Sequence, residues 1–522
     1  MSADVCVIGA GPAGGLVAAE LAPDHDVVVL EAGPRFPEDD RERRMERSIR
    51  PAFGPPDVWE MGGPRDAYAT DGRHYPLNAA RVKGVGGSTL HWQGMVMRLH
   101  EDDFNTRSQH GVGADWPIDY ADLRPYYARA ESELGVAGAS DNPFAPPREE
   151  PHPMPAFPPS HSDSLFAEAC EALEITTHSV PNARNSEPYD GDGACVGYGT
   201  CQPVCPSGAK YTAERHVDRG TAAGATVVPE APVQRLEHDD AGERVTAAVY
   251  RKDGERCRQE ATAFVVACGG VETPRLLLCS RSEQHPDGLA NGSGAVGRYF
   301  MEHLFAGMGG RLDEPTRQNH VGFNTTESHQ FYDVDEAGRF KLEFLNYAGP
   351  SPVERALSAD EWGDALLERL RADYGTHLAL SALAEQLPQP ENRVTLAPER
   401  TDDHGRPVPR IEWRLGDHVR RTLARANEVQ RSILAELGVD PEWTVGPGNT
   451  GPAYHHMGTT RMGTDPTESV VTPRLRTHEL ENCWIASSSV FVTGGAMNPT
   501  LTIAALALKA ADHLDEALSQ SL

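Results

Sequence analysis

"DVCVIGAGPAGGLVAAELAPDHDVVVLEAG", residues 4–33, decides how the chain begins to fold. Asp4 to Ile8 is an apolar run of strand type, glycines follow, a helical stretch reaches Leu21, and a second apolar strand ends at Glu31. This is a β-α-β unit. Gly9, Gly11 and Gly14 stand at the G-x-G-x-x-G spacing, which provides a tight turn, room for a diphosphate against the backbone, and close helix-to-strand packing. Pro12 and Ala13 fall in the first helical turn, where the missing N–H of proline has no intrahelical use. The free N–H groups and positive dipole end of that turn favour a diphosphate. Glu31 is placed to accept hydrogen bonds from a ribose diol. The unit predicts a bound dinucleotide and leaves NAD and FAD open.

Three further segments repeat the approach of a strand and a glycine turn to a nucleotide. "RVKGVGGSTLHWQGMVMR", residues 81–98, offers Gly84, Gly86 and Gly87 for close backbone passage, with hydroxyls on Ser88 and Thr89. "FVVACGGVETPRLLLCS", residues 264–280, is an apolar strand that runs through Ala267 and Cys268 into Gly269 and Gly270, then a helix expected to start at its proline. "IASSSVFVTGGAMNPTLTIAALALKAADHL", residues 485–514, opens a long apolar helix at Asn498 and Pro499. "YHHMGTTRMG", residues 454–463, adds two adjacent histidines before a glycine-threonine turn. If that stretch is extended, His455 and His456 point to opposite faces, so only one can face a ligand and the pair cannot chelate one metal.

Together with "GRYFMEH" at 297–303, this set resembles the glucose-methanol-choline (GMC) family of FAD-dependent oxidoreductases along nearly the whole chain. The motif pattern is most similar to the catalytic subunits of FAD-dependent glucose dehydrogenases. The resemblance implies an α/β fold of two lobes, arranged as in p-hydroxybenzoate hydroxylase: a Rossmann-like FAD-binding domain and a second, α+β substrate-binding domain. It implies that the first glycines and Glu31 grip ADP-ribose, that residues 84–91 cover the flavin, and that Ala267, Cys268, Gly269, Ser489, Asn498, Pro499 and Thr500 complete the cofactor site. Many members carry an acid before the serine of the last segment; here Ser487 to Ser489 stand there, so a flavin contact is expected to differ. The family pattern, a histidine three residues before Gly458-Thr459, selects His455 as the base that takes a hydroxyl proton, a task suited to an imidazole. Asn498 is expected to hydrogen-bond the developing alkoxide, or simply to cap the last helix. His456 is then expected to pack as a satisfied core histidine. Some sugar-oxidising members attach FAD covalently through a histidine in a segment resembling "GGSTLHW", and His91 is in that place; the other reading is that it packs beside the flavin.

"ACVGYGTCQPVCPSGAKYT", residues 194–212, gathers Cys195, Cys201 and Cys205 of the nine cysteines, and ends C-x-x-x-C-P as ferredoxin-type ligand runs do. A zinc site would lack a fourth ligand, and idle thiols are the remaining reading. The resemblance implies a [3Fe-4S] cluster passing electrons to a cytochrome, a quinone or a small companion subunit. That direction makes the protein a dehydrogenase rather than an oxidase. The alternatives are a family oxidase or choline or alcohol dehydrogenase without a cluster, a lyase that keeps FAD as scaffold, and a flavoprotein that only carries electrons.

The 522 residues carry a formal charge of −29, and lysine occurs only at Lys83, Lys210, Lys252, Lys341 and Lys509. Such a surface repels nucleic acid and anionic membranes. Dispersed carboxylates with arginine in place of lysine match a halophilic source, where salt screens self-repulsion. No apolar run reaches bilayer length and the first strand starts close to Met1, so a soluble cytoplasmic protein is expected, exported only if a partner carries it. Motif order predicts an FAD lobe from residues 1–100, 190–300 and 450–522, a connecting segment 101–189 with a proline-rich stretch at 142–162, and a substrate lobe over 301–449. Within that lobe, residues 339–348 and 392–398 read as strands and 418–439 as an amphipathic helix. The expected substrate is a small alcohol, best a sugar or polyol.

Overall fold

In the computed structural model the described residues are 2–49, 55–318, 321–332, 337–346 and 352–520. The opening unit forms as its sequence dictates. Strand Ala3–Ile8 runs into helix Pro12–Leu21, with Gly11 at the N-cap and proline in the first turn, and strand Val27–Leu30 follows. Gly9 turns at φ +105°, and a Cβ there would come within 2.7 Å of the Ala267 carbonyl oxygen. A Cβ on Gly14 would overlap the Gly9 carbonyl, so the third glycine sets how closely helix and strand pack.

These strands belong to a seven-stranded sheet. Its parallel part runs Thr226–Val228, Val27–Leu30, Ala3–Ile8, Glu255–Val266, Cys483–Ile485. Glu255–Val266 is shared. Its first half pairs antiparallel with Val245–Lys252 and its second half lies in the parallel core. The burial follows: the first half alternates at the surface, while Ala263 to Val266 are buried on both faces. Helices Pro12–Leu21, Glu214–Ala222, Tyr120–Leu134 and Thr500–Ser519 pack against one another over this sheet.

The second sheet is antiparallel and six-stranded: Trp443–Val445, Leu304–Arg311, His377–Ala384, Phe340–Phe344, Thr326–Ser328 and His178–Ser179. Of the strand expected over 339–348, residues 347 and 348 lie outside the described residues. Helix Asp417–Glu436 covers one face through Val419, Leu423, Ala426, Ile433 and Leu434, and leaves Arg420, Arg421 and Arg431 exposed, while Arg425 lies over the Phe331 and Phe340 rings. The other face looks into a cavity that the nucleotide sheet also borders. The lobes share chain: strand Ala69–Gly72 pairs with Pro407–Trp413, and His178–Ser179, from the segment between the FAD motifs, edges the second sheet. No described helix is long and apolar enough to cross a membrane.

Two helix starts carry function. Helix Gly269–Cys279 begins five residues before Pro274, where sequence placed its start at the proline. Proline has no N–H to give the Gly270 carbonyl, and Thr459 Oγ1 donates to that oxygen instead, at 2.7 Å. The helix is thereby tied to the turn after the paired histidines. The last helix starts as expected, with Pro499 at the N-cap and Thr500 as its first residue.

Candidate active site

A cavity of about 790 Å³ opens between the two sheets, at the C-terminal ends of the parallel strands. Ile8, Leu30, Ala267 and Ser487, each at or just beyond a strand end, form its floor. Gly9, Gly11, Pro12, Ala13, Glu31, Gly87, Ser88, Thr89, His91, Cys268, Gly269, His455, Asn498, Pro499 and Thr500 all border it. Gly14, Gly84, Gly86 and Ser489 do not. Gly84 is pressed between the Phe36 ring and the Pro34 carbonyl, Gly86 turns at φ +100° against Leu90 and Glu214, and Ser489 bonds the hydroxyls of Thr460 and Ser487, each at 2.6 Å. These four support the wall from behind.

The nucleotide end is built from backbone. Gly87 sits at φ +55° and a Cβ there would stand 2.9 Å from Gly11 Cα, so two glycine segments abut with only backbone between them. The buried carboxylate of Glu31 accepts from the N–H groups of Ala10 and Gly33 at 2.8 and 2.9 Å. Burial pushes its pKa up, opposed by those N–H groups and by Lys83. Arg65, Arg81 and Lys83 also line this end, with Arg81 and Lys83 paired to Glu272 at 2.5 and 3.2 Å. The sequence reading passed over these cations, which carry no spacing signature. Buried polar atoms without a protein partner on residues bordering the cavity include His91 Nδ1, His456 Nε2 and Asn498 Oδ1. A glycine cradle and orphaned polar atoms are what a flavin dinucleotide needs, and the residues present fit FAD. His91 is held neutral, its pKa pushed down to about 3 by burial and then by Lys210.

The substrate end is built from side chains. Phe305 and Gly307, Glu343 and Leu345, Ser381 and Leu383, Trp443 and Val445 face the cavity. The spacing is alternate residues on four neighbouring strands or their immediate ends, as one face of a sheet requires, with Ala306 between Phe305 and Gly307 as the exception. Ser381 Oγ is buried without a partner. Glu343 is buried beside Lys341, at 3.0 Å. The Trp443 ring lies over Gly307 and Gly309, where a Cβ on Gly309 would approach it to 2.6 Å, and remains 41% exposed.

The histidines meet at the junction. Both border the cavity, against the alternation expected of a strand, because Tyr454 adopts φ +69° and the stretch is irregular. His456 lies against the Phe300 ring and tilted to Tyr75, and its Nε2 is orphaned rather than satisfied. His455 Nδ1 bonds His303 Nδ1 at 2.9 Å, and His303 Nε2 bonds the Gly495 carbonyl at 2.8 Å. Buried Glu302 accepts from the backbone N–H of His455 at 2.5 Å and of His303 at 2.9 Å, and from the Tyr75 hydroxyl. Burial raises the Glu302 pKa to about 8. It also holds His455 well below the usual imidazole range, helped by His303, Lys341 and His456, so His455 is a neutral base at neutral pH. Asn498 does not cap the last helix.

The cysteine run lies beside the same cavity. Gln202, between Cys201 and Cys205, borders it. The buried Lys210 ammonium donates to the carbonyls of Cys201 at 2.8 Å and Trp92 at 2.6 Å, and Gln93 bonds Gln202 at 2.7 Å. The loop is thus sewn to the segment that carries His91. Burial raises the thiol pKa of Cys205, but the Lys210 charge, N–H donation and Ser207 outweigh it and the net shift is downward. Burial raises that of Cys195.

Elsewhere among the described residues, ligand atoms of His178, Glu327 and His329 lie within 4.8 Å of one another. Hydrogen bonding argues against a metal there. Asn142 Oδ1 accepts from the Phe144 N–H at 2.9 Å, so its Nδ2 donates to His329 Nδ1 at 3.0 Å. His329 Nε2 must then carry the proton it gives Glu327, at 3.0 Å, while Lys341 pairs the other carboxylate oxygen at 2.9 Å.

Fold and site define a flavin-dependent oxidoreductase, and comparison with known proteins gives the family. The GMC oxidoreductase models match residues 60–305 and 388–507. The chain is 34% identical to the fructose dehydrogenase large subunit of Gluconobacter japonicus, over 100% of this chain and 99% of that one. It is 31% identical to the 2-methyl-1,2-propanediol dehydrogenase of Mycolicibacterium austroafricanum, over 99% and 96% of the two chains. Among solved structures, a formate oxidase superposes with a TM-score of 0.70 at 16% identity over 99% of each chain, and pyridoxine 4-oxidase from Mesorbium loti with 0.67 at 19% over 98% of each. The chain belongs to the GMC oxidoreductase family, and FAD is its cofactor.

Proposed function

We propose that the protein is a dehydrogenase that oxidises a CH–OH group of a sugar or polyol to a carbonyl, with His455 as base and Asn498 as partner of the substrate oxygen. The observation that carries this reading is that a neutral imidazole, held through its Nδ1, and the side chain of Asn498 border the same cavity. FAD, when bound, supplies the acceptor for the hydride that leaves the substrate carbon. His455 takes the hydroxyl proton as that carbon is oxidised, and the Asn498 amide N–H steadies the oxygen while its charge develops. Glu302 fixes the backbone of His455. A sugar or polyol is favoured by the polar groups on the substrate face and by the names of the relatives, which include a fructose dehydrogenase and a diol dehydrogenase.

Cys195, Cys201 and Cys205 would hold a [3Fe-4S] cluster that takes electrons one at a time. What supports this reading is that the three cysteines lie on one loop bonded to the segment carrying His91, with a lysine cation near enough to lower the Cys205 thiol pKa. Electrons then leave to an external acceptor, a cytochrome, a quinone or a companion subunit. The relative named as a large subunit favours the last. The acidic surface suits an enzyme that works in salt-rich surroundings.

The test is the anaerobic visible spectrum of protein purified in high salt, before and after sugars, polyols and simple alcohols. A substrate should bleach the flavin band in the wild type and leave it unchanged in His455→Ala with FAD still bound. Failure of every compound to bleach it overturns the dehydrogenase reading.

A further inference from the structure

His303 lies in "GRYFMEH", a segment the sequence reading used only for resemblance, and its imidazole stands between the Gly495 carbonyl and His455. A carbonyl oxygen can only accept. His303 Nε2, 2.8 Å from it, must therefore carry the proton. In a neutral ring the other nitrogen is then an acceptor, and His303 is neutral because burial pushes its pKa down to about 4. His303 Nδ1 faces His455 Nδ1 at 2.9 Å, so His455 must donate from Nδ1. That leaves the lone pair of His455 on Nε2, which makes no hydrogen bond among the described residues, on a ring that borders the cavity. The opposite tautomer would set two lone pairs against each other at Nδ1 and present a useless N–H to the substrate.

We infer that His303, anchored by the Gly495 carbonyl, is a positioning residue that fixes His455 as its Nδ1–H tautomer and so keeps a base, rather than a donor, turned toward the substrate. The inference rests on the reading of His455 as the base. The anchor is itself held by the fold: Gly495 turns at φ +53°, and a Cβ on Gly494 would stand 3.1 Å from His303 Nε2. The rings meet edge to face at 83°, which lets one nitrogen of each lie on a common line.

Two variants and one spectrum test it on the FAD-loaded protein. His303→Leu keeps the bulk but removes the acceptor, and should lower kcat about 100-fold or more with KM changed by less than about threefold, as loss of correct protonation does. His303→Gln restores an amide N–H for Gly495 and a carbonyl for His455 at nearly the imidazole spacing, and should recover at least about tenfold of that loss. Independently of activity, 15N-histidine NMR of the wild type, differenced against His455→Ala, should assign a proton-bearing Nδ1 and a bare Nε2 to His455. If His455→Ala abolishes turnover while His303→Leu keeps it, the positioning role is wrong and the base stands. If His455→Ala keeps turnover, the base reading itself fails. Should His303→Leu not fold, the NMR difference decides: a protonated Nε2 overturns the inference.

Discussion

The two ends of the cavity are made differently. At the nucleotide end the wall is backbone: Gly11 faces Gly87 across a gap with no room for a side chain, and the Glu31 carboxylate is fixed by main-chain N–H groups. At the substrate end the wall is a row of side chains, Phe305, Glu343, Ser381 and Trp443, on a sheet that could present others without changing its path. Backbone recognition tolerates few residue types, because a positive φ or a close approach admits glycine and little else. Side-chain recognition tolerates many. The fold therefore commits to its cofactor through the chain's course and leaves substrate choice to replaceable groups.

The sharpest way to break that contrast is a methyl group at the nucleotide end. Gly87→Ala places a Cβ 2.9 Å from Gly11 Cα on a residue at φ +55°, and should lower FAD affinity about 100-fold or more, since strain and clash both oppose the bound geometry. The ratio of flavin to protein absorbance after purification measures it, with circular dichroism to show that the fold remains. Full retention of FAD would mean that the glycine segments can part, and that the wall is not fixed by backbone.

The next effect lies at the junction. A base works only without its proton, so lowering the pKa of His455 moves the loss of activity toward acid. The rate of flavin reduction should stay flat from about pH 8 down through about pH 6.5, the ordinary imidazole value, and fall only below it. A limb centred at the ordinary value would mean that burial does not govern this residue. For the cysteine loop, Cys201→Ser should remove broad absorbance beneath the flavin bands and slow reoxidation by external acceptors, with substrate reduction of the flavin unchanged. An identical spectrum would leave the thiols idle.

The same contrast explains what could be read from sequence. The glycine fingerprint was legible because Gly9 at φ +105° and Gly14 against its carbonyl have no substitutes. The substrate face was not. Strands Leu304–Arg311 and His377–Ala384 are buried on both sides, so no polar alternation marks which residues look into the cavity, and strand order in the sheet is not written locally. The histidine pair shows the limit of periodicity. Alternation assigned His455 and His456 to opposite faces, but a left-handed Tyr454 and an irregular path bring both to the cavity. Glu302 and His303 were within a quoted segment, yet their roles depend on partners from residues 75, 455 and 495, which no local pattern joins.

Smaller effects should follow at the substrate end. Trp443→Ala removes an exposed ring lying over Gly307 and Gly309 and should lower kcat/KM for a sugar about tenfold or less, by the usual worth of an aromatic contact, while simple alcohols change little. An equal loss for both substrate types would make Trp443 a structural cover for the two glycines.

Ser381→Ala is the finest test, because stability and activity should move in opposite directions. The Ser381 hydroxyl is buried and has no protein partner, so the folded protein bears its desolvation without return. Removing it should raise unfolding stability by up to about 1 kcal/mol. If that hydroxyl bonds the substrate, its loss should lower kcat/KM for the full polyol about threefold to tenfold, and do nothing for an analogue that lacks the matching hydroxyl. A variant both more stable and equally active on every substrate would move Ser381 from the substrate face to the supporting wall, and would leave Glu343 as the buried polar group that chooses among alcohols.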